Sequence, residues 1–208
     1  MPVFLKDDQA VLFVHVPRTG GSAVSRYLRN NGWTCRDLDE GSPFAPTNAN
    51  FYRRVSPQHW SAEVLARVYR LERFNLVLQF SREPLERLRS EYLWRRNADP
   101  RAGRFTSLSF EAWWDEARAS CQQDPQALDN HIRPQSDFLL PGAIVGRFEN
   151  DLNARFFAEH SLTKAGLFAG RRLSKVNSSG PGDRVISDQL AGEIRAFYRF
   201  DYETFGYA

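Results

Sequence analysis

Residues Val11–Val16 (VLFVHV) are apolar at every position but His15, and the run stops at Pro17. Such a run predicts a buried strand. From Ser22 the period changes. Ala23, Val24, Tyr27 and Leu28 are apolar while Arg26 and Arg29 are polar, which predicts an amphipathic helix over about Ser22–Asn30. The same order recurs twice. A run at Asn75–Phe80 leads through Ser81-Arg82-Glu83 to a helix opening at Pro84 and running to about Arg95. A third strand at Ile144–Phe148 precedes a helix over Asp151–Glu159. Further helices are predicted at Ser61–Leu71, with Ser61 as N-cap, and at Phe110–Cys121, with Trp113 and Trp114 as core and rim rather than a sugar platform. The last covers Ser187–Phe200, and residues 40–58, 97–107 and 174–187 read as loops. Strands alternating with helices imply an α/β fold: a parallel sheet flanked by helices on both faces. Ligands then bind beyond the carboxyl ends of the strands, where the segments after Val16 and Phe80 both emerge.

The first of those segments, Arg18-Thr19-Gly20-Gly21, has the makings of an anion cradle. Glycines let the backbone approach a phosphate, and a helix start offers N–H groups without intrahelical acceptors. Arg18 adds a fixed cation, and Thr19 and Ser22 add hydroxyls. The triphosphate-binding pattern GxxxxGK[ST] is absent. Composition narrows the rest. The 208 residues fit one domain, 1–208, and 42% hydrophobic content argues against disorder. A net charge of +3 and no aromatic-basic recognition motif leave a nucleic-acid partner unsupported. No apolar run approaches the roughly 20 residues that span a bilayer. The start of the chain lacks a signal-peptide layout, so a cytoplasmic location is expected. Cys35 and Cys121 lie far apart with no CxxC, which suggests two ordinary thiols and no metal site.

Several segments carry a family resemblance. HVPRTGGSA (15–23) resembles the HIPKTGGTS signature of the carbohydrate sulfotransferase family, including its bacterial members. LVLQFSREPLERLRSEYL (76–93) resembles that family's strand-Arg-Asp-Pro-helix segment, with Arg82 and Ser90 in the matching places. DNHIRPQSDFL (129–139) resembles its HxxPQ element, KVNSS (175–179) its Asn-Ser element, and FYRFDYETFGYA its C-terminal segment. The matches run in family order over nearly the whole chain.

The resemblance implies a P-loop-like sulfotransferase fold and transfer of a sulfuryl group from PAPS (3′-phosphoadenosine 5′-phosphosulfate). PAP would be the product and no metal would be needed. The implied acceptor is a hydroxyl on a saccharide or glycoconjugate. Pro17, Arg18, Thr19, Gly20, Gly21, Ser22 and Ala23 would hold the 5′-phosphosulfate, Arg82 and Ser90 the 3′-phosphate at the far end of the nucleotide. Asn177 and Ser178 would meet the nucleotide or form a turn. Two departures stand out: Arg18 replaces the usual lysine, and Glu83 the usual aspartate. Arginine clamps charge but does not readily give up a proton, so Arg18 would act electrostatically on the leaving phosphate.

In-line transfer also needs a base for the acceptor's proton. Histidine fits, since it titrates near neutrality. His15 reads as structural and His160 as a surface residue. His59, in a loop where relatives often place the base, leads; His131 is the other candidate, alone or jointly as substrate orienter. Arg133 and Gln135 either touch the acceptor or brace a loop. Two other functions compete. A noncatalytic PAP- or nucleotide-binding module is favoured by Arg18, and a small nucleotide kinase would need a magnesium-binding carboxylate where Ser81-Arg82 stand.

Overall fold

A computed structural model describes residues 2–38, 46–98, 107–164, 171–174 and 186–208. Five strands form one sheet in the order β3-β1-β2-β4-β5. Strands β2 (Gln9–Val14), β4 (Leu76–Ser81) and β5 (Ile144–Arg147) are parallel neighbours, as the alternating pattern predicts. The other edge differs from expectation. β1 (Val3–Lys6) folds back on β2 through Asp7-Asp8, and β3 (Thr34–Arg36) pairs antiparallel with β1. Both added strands are short. Their signal is only VFL before an acidic pair and TCR after Gly32, too little for a periodicity argument.

Side-chain alternation decides which layer each strand residue joins. Val11 and Phe13 of β2 pack with Leu78 and Phe80 of β4, with Val24 and Leu28 of α1 (Gly21–Asn30), and with Phe156 and Phe157 of α5 (Ala154–Glu159). Leu12 and Val14 face the other way, onto Leu65 of α2 (Ala62–Val68), Phe138 and Leu140. Ser61 stands at the α2 N-cap position as predicted, but its side chain makes no capping bond. A third core is helical. Leu88 and Tyr92 of α3 (Pro84–Ala98) pack with Trp113 and Trp114 of α4 (Phe110–Gln123) and Ile194 of α6 (Asp188–Phe197). Both tryptophans are fully buried, so both belong to the core and neither lies at a rim. The single helix predicted at the C-terminus is two, α6 and α7 (Arg199–Phe205), with Tyr198 at the junction.

This layering puts the site at one rim. β2, β4 and β5 point the same way, so the loops after Val14, Ser81 and Arg147 leave the sheet side by side. Cys35 and Cys121 are free thiols. Among the described residues no helix is long and apolar enough to cross a membrane.

Candidate active site

The loop between β2 and α1 is compact. The Thr19 hydroxyl donates to Val16 O at 2.8 Å and is buried, so it closes the turn rather than facing a ligand. Arg18 and Gly20 have positive φ, 67° and 90°. A left-handed non-glycine residue at such a turn is held there by its surroundings. Gly21 has a packing reason: a Cβ on it would stand 2.0 Å from Nε2 of His15. The first bonds of α1 run from Ala23 and Val24 N–H to Gly20 O. Ala23, expected in the cradle, therefore spends its N–H within the helix, while the N–H groups of Gly21 and Ser22 have no intrahelical carbonyl to reach. Ser22 is exposed, and Pro17 is buried behind the loop.

The two site arginines meet at this rim. Arg82 Nη1 donates to Arg18 O at 3.2 Å, and its guanidinium lies 4.4 Å over the Phe148 ring, which also carries Arg172. Arg18 lies over Trp94 and donates from Nε and Nη2 to Ser90 Oγ at 3.3 and 3.1 Å. Ser90 was expected beside Arg82; its hydroxyl is on Arg18 instead. The reason is helical phase, since Ser90 and Trp94 are one turn apart on α3 and both face the loop. Burial pushes both guanidinium pKa values down, and the charge of Arg18 adds to the effect at Arg82. Two partly buried arginines beside an open helix start suit an anionic group with more than one charge.

Gln135 is a brace, not an acceptor contact. It is fully buried, its Oε1 accepts from Arg82 N at 2.9 Å and its Nε2 donates to Arg82 O at 2.8 Å. The Gln135 and Ser136 N–H groups both donate to Asp201, so α7 fixes the turn that fixes Arg82. Arg133 is likewise engaged locally, donating to Asp137 at 2.8 Å. For Gln135 the cause is burial: a buried polar side chain must be satisfied, and this one satisfies the backbone of Arg82. Asn177 and Ser178 lie outside the described residues.

Next to the cations stand three imidazoles. The His59 and His131 ring centroids are 4.7 Å apart and edge-to-face; those of His15 and His59 are 5.2 Å apart. His59 Nδ1 is 2.9 Å from Asp129 Oδ2, and His131 Nδ1 is 2.7 Å from Glu91 Oε2. Each ring thus has one nitrogen on a carboxylate. That pairing fixes Nδ1–H as the tautomer and leaves Nε2 as the basic atom. Asp129 is itself held by the N–H and hydroxyl of Ser56. It sits in an unusual run: Leu128, Asp129 and Asn130 all have positive φ, 56°, 58° and 61°. Asn130 Nδ2 donates to His59 O, and Arg95 Nη2 to Leu128 O, so bonds to the site hold the strained run at both ends.

Burial opposes ionisation of both carboxylates, and their partners outweigh it. Hydrogen bonds from His59 and Ser56 hold the Asp129 carboxyl well below its usual range. The charges of Arg95 and Arg18 and the hydrogen bond from His131 do the same for Glu91. Burial pushes His15 and His131 down, so both are neutral near pH 7. Ligand atoms of His59, Asp129 and His131 lie within 4.8 Å of one another, a set that could hold a metal ion. Asp129 already spends its oxygens on Ser56 and His59, so hydrogen bonding alone accounts for the cluster.

Over residues 1–208 the chain matches the sulfotransferase family. It belongs to that family. No curated protein matches it, and no solved structure does. Membership establishes sulfuryl transfer as the chemistry of this sulfotransferase in general terms, and the five-stranded α/β architecture is consistent with it.

Reading the sequence missed Asp129, Glu91, Ser56 and Trp94, and it set His15 apart from the site. One signal was there. Arg87, Glu91 and Arg95 recur at every fourth residue of a predicted helix, with opposite charges adjacent. All three are buried: Arg87 donates to His131 O and Arg133 O, and Arg95 pairs with Glu91 at 2.6 Å. Opposite charges at that spacing read as an exposed, ion-paired helix face, so their burial beside the apolar stripe of Leu88 and Tyr92 was not legible.

Proposed function

We propose that this sulfotransferase moves the sulfuryl group of PAPS to a hydroxyl of a carbohydrate acceptor, with the full length acting as one domain and His59 as the base. The observation that carries the reading is the proximity of two arginines, an open helix start and a carboxylate-held histidine pair at one sheet rim. Bond-making and bond-breaking are simple to balance. The acceptor oxygen bonds to sulfur as the bond from sulfur to the 5′-phosphate oxygen breaks, leaving PAP. His59 Nε2 takes the hydroxyl proton, and Asp129 at Nδ1 balances the imidazolium.

Arg18, with the Gly21 and Ser22 N–H groups, stabilises charge on the leaving phosphate, and Arg82 holds the second phosphate. His131, edge-on to His59, orients the acceptor hydroxyl. The fixed arginine at position 18 also suits a noncatalytic PAP-binding module, so binding and turnover are tested separately. The nucleotide-kinase alternative gives way to the family assignment.

PAP at a hundred times its Kd should stabilise the protein by about 2.7 kcal/mol, roughly 5–11 °C in melting temperature, with no comparable effect of ATP plus magnesium. Transfer of label from PAPS to a saccharide panel then reports catalysis. A stabilisation by ATP-magnesium alone would reject the donor assignment. PAP stabilisation without transfer to any hydroxyl acceptor would leave the binding module.

A further inference from the structure

Glu91 does more than orient one ring. It lies on α3 between Ser90 and Arg95, its side chain only 1% exposed, and three groups share it. His131 Nδ1 and Arg95 Nε are tight partners at 2.7 and 2.6 Å; Arg18 Nε is a looser one at 3.9 Å. Arg18 is the same side chain that the reading above places on the leaving phosphate. The donor loop and the second imidazole therefore draw on one buried negative charge.

We propose that Glu91 is a positioning residue that ties occupancy of the donor loop to the charge carried by His131. The inference rests on the donor reading. Without donor, Arg18 and Arg95 supply two positive charges to one carboxylate, and His131 is neutral. A phosphate dianion at the loop draws Arg18 from its loose contact, and Glu91 is left with Arg95 and His131. His131 then takes one proton from solvent at Nε2, keeping Nδ1–H on Glu91. A protonated His131 beside His59 donates a hydrogen bond to the acceptor oxygen or the transferring group, and does so only when donor is bound.

The groups facing His131 agree with this. From α3 they are Glu91, Arg95 and the stacked Trp94. From the turn before α2 it is His59, from its own segment Asp129, and from the end of β2 His15. Arg87 binds only its carbonyl. The positive neighbours oppose protonation and Glu91 favours it, so the balance turns on how much of Glu91 the Arg18 charge claims.

The imidazole Cε1–H resonance of His131, assigned with His131→Gln, should be followed against pH in the full chain with and without saturating PAP. The midpoint should rise by about one pH unit with PAP in the wild type, and much less in Glu91→Gln. An equal rise in Glu91→Gln would assign the effect to the field of the phosphates and overturn the proposal. So would an unmoved midpoint in a wild type whose melting temperature PAP raises. If PAP moves neither resonance nor melting temperature, the donor reading itself fails and this inference with it. Should Glu91→Gln not fold, Arg18→Gln gives a second route. It frees Glu91 without ligand, so the His131 midpoint should already stand high, and an unchanged midpoint is fatal to the idea.

Discussion

At the scale of single residues, the site depends on side chains whose partners lie far away in sequence. His59 and Asp129 are 70 positions apart and bonded at 2.9 Å. His59→Ala should lower turnover by about 10²–10⁴-fold while leaving the Kd for PAP within a few-fold, read by initial rates and calorimetry. Asp129→Asn should lower kcat by about 10³-fold with little change in KM, because an amide stabilises neither the Nδ1–H tautomer nor the imidazolium. Its acid limb in the rate profile should move, which loss of packing alone would not cause. Gly21→Ala tests the loop. The new methyl would meet the His15 ring, so unfolding in urea should show a loss of about 1–3 kcal/mol. The glycine pair was legible in the sequence as a cradle; that one of its members makes room for a histidine was not.

Among the elements, α3 joins donor loop and base. One face presents Ser90 and Trp94 to Arg18; another carries Arg87, Glu91 and Arg95 inward. Arg82 at its entrance is clamped by Gln135, and Gln135 by Asp201 of α7. Arg82→Ala should weaken PAP binding by about tenfold or more, since a charge-assisted bond contributes roughly 1.5–3 kcal/mol. Gln135→Ala should do the same more weakly and also lower the melting temperature, because it releases both backbone groups of Arg82. Equal affinities for wild type and Arg82→Ala in calorimetry would remove Arg82 from the site. The boundaries of α1, β4, α3 and β5 were readable to within two or three residues because apolar runs, helical periods and the first-turn Pro84 are local signals. The split between α6 and α7 was not, since Tyr198 is apolar enough to continue either helix.

For the whole molecule, buried ionisable groups set the response to acid. His15 and His131 have folded pKa values below their ordinary ones, as do Asp129 and Glu91. Each therefore binds protons more readily when unfolded, and all four act in one direction. Stability should be highest above about pH 7, fall as the unfolded histidines protonate near 6.5, and fall more steeply below about 4 as the unfolded carboxyls do. Urea unfolding across that range checks it, and Glu91→Gln should flatten the lower limb. The sequence by itself determined the alternation of strand and helix, the parallel run β2-β4-β5, the glycine loop, the rim arginines and the two histidines. These are written in local periodicity and in motifs a few residues long. Only the tertiary structure decided which carboxylate holds which imidazole, that Ser90 serves Arg18, and that Gln135 braces rather than binds. Those outcomes follow from satisfying buried polar groups across long separations, a constraint that packing enforces and that no short stretch of chain records.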